Sequence, residues 1–176
     1  MEQMPARVKR VRYFTGLLLS AADLQAEQDY VRARLRRANL LARGPGRVEG
    51  LEVSVDPGAR GGPVVVVAPG VAISPRGEEL VVGATARVPV RSTASELHVV
   101  LDLREEPVEP VPATTSGDAG MEATRVVELA TVRLVPRSLA RRLGPDALPI
   151  ARLVKGPRGW CVQAASTSSR SGDTHG

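Results

Sequence analysis

The spacing of apolar residues along the chain changes near residue 46. Before that point, Leu24, Val31 and Leu35 recur at helical spacings of seven and four positions, which predicts a helix. From Arg47 onward the period becomes two and Val dominates, which predicts strands. The pattern therefore predicts an α+β, mainly β protein, in which an N-terminal arm and long helix precede a Val-rich antiparallel β-sandwich or open barrel.

The predicted helix carries signals at both of its ends. Ser20 and Asp23 form a capping pair at the start, and the Gly/Pro break at residues 44–46 ends the helix. The 23 or so residues between them, at about 1.5 Å each, make a rod of roughly 35 Å. Asp29 and Arg32, three positions apart, are predicted to form an ion pair within this helix.

The apolar stripe of this helix is narrow, because Gln28 interrupts Leu24, Val31 and Leu35. So little apolar surface on so long a helix is typical of helices that pack between copies of a protein. The arginine-rich face would then meet acidic surfaces of neighbouring subunits. The alternative, a helix that lies across its own sheet, is equally open at this point.

The apolar segment just before the helix holds two of the four aromatic residues of the chain, Tyr13 and Phe14. Buried aromatic side chains often anchor interfaces, so this segment is a candidate contact surface. It could also cap the core of its own domain. The predicted partner-contact residues are Tyr13, Phe14, Leu17, Leu24, Gln28, Val31, Leu35 and Arg36.

Turn-forming residues divide the rest of the chain into short strands. Residues 75–78 lie between two apolar stretches and predict a hairpin. The continuous apolar run at 64–68 predicts a strand buried on both faces. The three prolines within residues 105–112 exclude a central strand and favour an extended edge. A closing hairpin is predicted across residues 155–159.

These elements give a prediction of how the chain is organised. Residues 1–46 form the N-terminal arm and long helix. Residues 47–135 form the β-rich body, and residues 136–165 form a short helix and closing hairpin. Residues 166–176 are predicted to be a disordered tail. Within these units, residues 1–12 are predicted to be mobile and residues 114–120 to form a flexible loop.

Composition narrows the classes of function. Aromatic residues make up only 2% of the chain, which argues against base stacking on single-stranded nucleic acid. The net charge of +5 is carried almost wholly by dispersed arginines, which a coding sequence of high GC content would also produce. A cytoplasmic basic nucleic-acid-binding module therefore remains only as the alternative function.

The single cysteine and the hydrophobicity pattern bear on the compartment. Cys161 excludes an internal disulfide, and its place in a strand predicts burial. The apolar residues 17–19 are far too few for a signal peptide or a membrane span. We therefore expect a cytoplasmic protein with neither.

No arrangement of residues indicates catalysis, a metal site or a cofactor. His98 and His175 are far apart, and no G-x-S-x-G or phosphate-binding glycine motif occurs. The acidic pairs at 78–79 and 105–106 consist of adjacent strand residues, which point to opposite faces, so they are expected to solvate a sheet edge. A hydrolase or ligand-binding site would have to depend on these acids and His98.

Four linked motifs follow one another along residues 11–135. The first, Y-F-x-G-x-x-L-x-x-x-D-L-x-x-E-Q-x-Y, leads into the Arg-rich helix. A G-x-V-x-G-L-x-V strand, a P-G-x-A-I-x-x-x-G-x-E-L hairpin and an E-x-P-x-x-P-V-P segment follow. The matching residues include Tyr13, Phe14, Gly16, Leu19, Asp23, Glu27, Gln28, Tyr30, Gly46, Val48, Gly50, Leu51, Val53, Pro69, Gly70, Ala72, Ile73, Gly77 and Glu79.

Together these motifs resemble a bacterial family tied to phage-like contractile injection systems. The resemblance implies a non-enzymatic structural or assembly subunit of a contractile, phage-tail-like particle, at the baseplate or where a fibre or spike attaches. With the helix pattern, it predicts oligomerisation through the N-terminal arm and helix. The expected partners are other copies of the chain, in a trimer for example, and tail or baseplate proteins.

Overall fold

The computed structural model describes residues 9–58, 61–112 and 120–164, and about half of them lie in β-strands. With one long helix and antiparallel sheets in these ranges, the predicted fold class, α+β and mainly β, is confirmed. The predictions of a mobile segment at 1–12, a flexible loop at 114–120 and a disordered tail at 166–176 fall wholly or mostly outside the described residues.

The long helix, α1, spans Ala21–Ala42 and begins with the predicted capping box. The Asp23 N–H donates to the Ser20 hydroxyl at 3.2 Å, and the Ser20 N–H donates to the Asp23 carboxylate at 3.0 Å. The helix ends as predicted, because Gly44 adopts a φ of +70° and its N–H donates to the Leu40 carbonyl. No residue of α1 is buried.

The strands form three antiparallel sheets, in the orders β1-β4-β5, β2-β3-β6 and β10-β9-β7-β8. A 3₁₀ helix, Arg137–Arg142, stands between β8 and β9, where a helical turn was predicted. The strands are β1 (Gly46–Gly50), β2 (Val53–Asp56), β3 (Val64–Val67), β4 (Gly70–Ile73), β5 (Glu79–Val82), β6 (Ala86–Pro89), β7 (Glu96–Pro112), β8 (Met121–Pro136), β9 (Leu148–Gly156) and β10 (Gly159–Ala164).

The first two sheets share a corner at which the chain passes from one to the other. Gly50, the last residue of β1, and Leu51, which follows it, both have a φ of +60°. The buried Leu51 donates its N–H to the Pro69 carbonyl at 3.1 Å, beside the start of β4. A Cβ on Gly50 would lie well inside 3.0 Å of that same carbonyl, so only glycine is accommodated there. β1–β2 and β3–β4 thus form one long hairpin that bends at this corner and contributes strands to both sheets.

One hydrophobic core is built from side chains of all three sheets, which therefore pack around it. It consists of aliphatic side chains, as the low aromatic content requires. Val65 and Val67 of β3 are buried in it, whereas Val64 and Val66 on the other face are only half-buried. The prediction that this strand is buried on both faces is wrong, because only one face lies on the core. The core residues are Leu51, Val65, Val67, Ala72, Leu80, Val82, Leu97, Val99, Leu101, Leu148, Ala151 and Leu153.

Both predicted hairpins are confirmed. Strands β4 and β5 pair with Ile73 opposite Glu79, and β9 and β10 pair with Gly156 opposite Gly159. The predicted burial of Cys161 on β10 is wrong, since this side chain is exposed. Its neighbour Trp160 packs against the core, and adjacent strand residues point to opposite faces.

The longest strands, β7 and β8, extend beyond the rest of their sheet. β9 pairs with β7 only as far as Leu101, whereas β8 pairs with it to its end at Pro112. Residues 102–112 and 121–131 therefore form a two-stranded extension, which we call the arm. All three prolines of the 105–112 segment lie in the arm and outside the four-stranded region, as predicted.

Candidate interaction surface

The segment before α1 leaves its aromatic side chains in solvent. Phe14 is 62% exposed and Tyr13 is also exposed, while Leu17 is half-buried. A hydrogen bond from the Leu17 N–H to the Phe14 carbonyl, at 3.1 Å, closes a turn here. Neither aromatic ring packs into the hydrophobic core, so this segment does not cap it.

The apolar stripe of α1 is also exposed. Leu24, Val31 and Leu35 are 52%, 44% and 58% exposed, and Gln28 between them is exposed as well. Their spacing of four, three and four places these four residues on one face, which we call the helix stripe. In the isolated chain, the helix stripe therefore lacks the apolar cover that an amphipathic helix normally has.

α1 does lie against its own chain, but it does so through polar side chains. Arg36 Nε donates to Glu78 Oε1 at 2.5 Å, and Asn39 Nδ2 donates to the Gly77 carbonyl at 2.9 Å. The hydrogen bond to Glu78 raises the pKa of Arg36. Both acceptors belong to the turn between β4 and β5. The C-terminal half of α1 thus rests on this turn.

The turn between β4 and β5 has a conformation that lets the helix approach closely. The buried Ser74 hydroxyl accepts from the N–H groups of Arg76 and Glu78, at 3.2 and 3.0 Å, which holds the turn closed. Gly77 has a φ of +91°, and a Cβ at this position would lie well inside 3.0 Å of the Arg36 carbonyl. The helix backbone and the turn therefore approach as closely as glycine allows.

Arg32 joins α1 to the base of the arm. Its Nη2 lies 2.5 Å from Glu105 Oε1, 3.3 Å from Glu128 Oε1 and 3.6 Å from Glu78 Oε1. Glu105 and Glu128 face each other directly across β7 and β8, an arrangement in which like charges repel. Arg32 offsets this repulsion, and the hydrogen bond to Glu105 in turn raises the pKa of Arg32. We call Arg32, Arg36, Glu78, Glu105 and Glu128 the arginine clamp.

The arginine clamp corrects two expectations from the sequence. Asp29 accepts a hydrogen bond from Gln25 at 3.1 Å and does not pair with Arg32, which reaches three carboxylates of the strands instead. The acidic pairs at 78–79 and 105–106 each contribute one residue to the clamp, so they do more than solvate an edge. Two helix arginines are thus engaged by acids of their own chain, which reduces support for a nucleic-acid-binding helix.

The arm is a surface that the sequence analysis did not identify. Directly opposite residues of paired strands point to the same face, so the register assigns each arm residue to one of two faces. One face, which we call the inner arm face, bears the clamp residues Glu105 and Glu128. Farther along, the same face bears Pro107, Val111, Glu122, Thr124 and Val126. The sequence carries no direct clue to the arm, because residues 105–112 contain three prolines and alternation is clear only in residues 97–103.

Between α1 and the strands lies a shallow groove of about 330 Å³, lined by clamp residues and by Leu35, Val81, Leu103 and Ala130. In the residues that the structure describes, no three His, Cys, Asp or Glu side chains are placed to hold a metal ion. Among the same residues, no helix is both long and apolar enough to cross a membrane. His98 is half-buried in β7.

No protein-family model matches the chain, and no curated protein matches it in sequence. Nine chains of solved structures match it in fold, and three of them are as follows. A chain of the baseplate complex from the type VI secretion system matches 89% of this chain and 58% of its own length, with a TM-score of 0.50 and 13% identity. A chain of the TssK-TssF-TssG baseplate subcomplex of that system matches 89% and 60%, with a TM-score of 0.50 and 15% identity.

The third structure, a crystal structure of TssK, matches 89% of this chain and 41% of its own length, with a TM-score of 0.48 and 14% identity. This chain thus spans about three-fifths or less of the chains that it matches. For the two structures with a TM-score of 0.50, at 13% and 15% identity, the likeness shows a shared fold.

Proposed function

We propose that this chain is a non-enzymatic structural subunit of a phage-tail-like contractile injection particle, in its baseplate or where a fibre or spike attaches. The observation that carries the proposal is the exposed helix stripe on a 22-residue helix without a buried residue. The fold shared with a chain of a type VI secretion baseplate complex, over 89% of this chain, supports the choice of particle.

In this proposal the N-terminal segment and the helix stripe are buried against neighbouring subunits. Burying the exposed part of Val31 or Leu35, about half of each side chain, would contribute about 1 kcal/mol each. Tyr13 and Phe14 add large apolar areas of the kind that dominates interfaces. The partners are other copies of this chain and baseplate proteins.

The predicted contact residues then fall into two groups. Tyr13, Phe14, Leu17 and the helix stripe contact neighbours. Arg36 is held by Glu78 of its own chain, so it orients α1 for that contact. This arrangement would present the helix stripe in one fixed direction before assembly.

The test is incorporation into particles. Leu24→Asp and Val31→Asp each place a charge on the helix stripe, and Leu41→Asp places one elsewhere on α1, at a residue that is 82% exposed. All three should fold, because no buried side chain is changed. Cells that produce the particle, with each variant as the sole copy, are lysed and the particles are sedimented.

We expect the Leu41→Asp protein in the particle fraction at the wild-type level, and the two stripe variants in the soluble fraction. If the stripe variants sediment with particles as the wild-type chain does, the stripe is not an assembly contact. If the wild-type chain itself is missing from purified particles, the proposed function is wrong.

A further inference from the structure

The inner arm face is acidic, and most of it is uncovered. Arg32 occupies its base, at Glu105 and Glu128. Beyond the base, Glu122 is exposed and Val126 is 59% exposed. The register places no basic side chain on this face, since both arginines of the arm, Arg104 and Arg125, fall on the opposite one.

The segment that contains α1 has the opposite charge. Residues 9–43 carry eight Lys or Arg and three Asp or Glu, a net charge of +5. The arm, residues 102–112 and 121–131, carries two Arg and six Asp or Glu, a net charge of −4. Arg34, beside the helix stripe, is exposed and is not part of the arginine clamp.

Building on the proposed function, we propose that the inner arm face of one copy receives the helix stripe of a second copy. Val31 would lie against Val126, and Arg34 would face the Glu122 carboxylate. The clamp already shows this chemistry within one chain, where Arg32 of α1 binds two carboxylates of the same face. Charge complementarity and matched apolar side chains both favour a second copy as the occupant.

The two surfaces differ, so the contact is head-to-tail and each copy has one surface of each kind. A copy with a damaged helix stripe keeps a working arm, and a copy with a damaged arm keeps a working stripe. Mixing two such copies should therefore restore a single contact. An interface between two helix stripes would not behave in this way.

The experiment uses the full chain in sedimentation velocity at low ionic strength. The stripe variant is Val31→Glu with Arg34→Glu, and the arm variant is Glu122→Lys with Val126→Lys; all four side chains are exposed. Val127→Lys is the matched control, because Val127 is adjacent to Val126 but on the opposite face of β8. Circular dichroism confirms that each variant is folded.

We expect the wild-type chain and the Val127→Lys control to self-associate, and each double variant to be monomeric, with affinity reduced about tenfold or more. An equimolar mixture of the two variants should form dimers. An arm variant that self-associates as the wild-type chain does would overturn the proposal, as would a mixture that remains monomeric.

Failure of this proposal can be told apart from failure of the proposed function. A wild-type chain that is monomeric at every concentration, yet sediments with particles, overturns the contact between copies and leaves the structural role intact. A chain that neither self-associates nor sediments with particles overturns both.

Discussion

Replacing Gly77 by alanine should loosen α1 from the body of the protein. Gly77 lies in the turn under the helix, with a φ of +91° and its Cα facing the Arg36 carbonyl. An L-residue at such a φ carries strain of about 1–2 kcal/mol, which remains whatever the helix does. The added Cβ would also collide with the helix backbone.

The collision can be relieved if α1 moves away from the turn. That movement gives up the hydrogen bond from Asn39 to the Gly77 carbonyl and the ion pair of Arg36 with Glu78. Each contributes about 1 kcal/mol or less, because these groups are half-buried and partly screened by solvent. We therefore expect Gly77→Ala to lower the free energy of unfolding by roughly 2–4 kcal/mol.

The assay is equilibrium unfolding in urea, with Gly83→Ala as the matched control. Gly83 lies at the other end of β5, has an ordinary φ, and has no atom within 4 Å of an added Cβ. Its replacement should leave stability unchanged or raise it by up to about 1 kcal/mol. With a slope of about 2 kcal/mol per molar urea, the middle of the usual range, the midpoint of Gly77→Ala should fall by about 1–2 M.

Limited trypsin digestion supplies the second measurement. Arg34 and Arg37 are exposed on α1, and a helix released from the turn unfolds locally more often. Cleavage within α1 should therefore accelerate in Gly77→Ala and not in Gly83→Ala. Equal urea midpoints and equal cleavage rates for the two variants would refute the conclusion that the helix rests on this turn.

Three further predictions concern the cap, an ion pair and the core. Ser20→Ala should lower the stability of α1 by about 1 kcal/mol, seen as reduced helical signal in circular dichroism, whereas Ser20→Thr keeps the cap and the signal. The hydrogen bond from Arg137 holds the pKa of Glu96 below its ordinary 4.5, so the stability from this pair is complete above that pH and is lost as the pH falls further. Glu96→Gln should therefore flatten the acid side of a plot of thermal midpoint against pH, and an unchanged slope would contradict this. Leu101→Ala, in the buried core, should lower the free energy of unfolding by about 2–5 kcal/mol, while Leu139→Ala at an exposed position should change it by about 0.5 kcal/mol or less.

Features encoded by neighbouring residues could be predicted from the sequence. The Ser20–Asp23 box and the hairpin at residues 75–78 depend on side chains within four positions of each other. The prolines of residues 105–112 excluded a central strand for an equally local reason, since proline has no N–H to donate. The narrowness of the helix stripe could also be counted directly, but its exposure could not be decided, because a helix that lies across its own sheet was an equal alternative.

Features that depend on distant residues were missed. Arg32 and Glu105 are 73 positions apart, and nothing near Arg32 in the sequence indicates that Asp29 is not its partner. The arm was missed because strand length depends on pairing. The first residue of β9, Leu148, lies opposite Leu101, so β7 beyond Leu101 pairs with β8 alone. Cys161 was misplaced because alternation alone does not say which of two adjacent strand residues, Trp160 or Cys161, faces the core.

The corner at Gly50 and Leu51 has a consequence for how the molecule comes apart. β1 leads directly into β2, and β3 leads directly into β4, so each of these segments contributes one strand to each three-stranded sheet. Neither sheet can therefore unfold without disrupting the strand pairing of the other. The strands of these two sheets should accordingly lose their slowest-exchanging amides in a single all-or-none event, whereas α1 can fray and re-form on its own. The pairing of the described strands should therefore survive even when α1 is displaced from the turn that holds it.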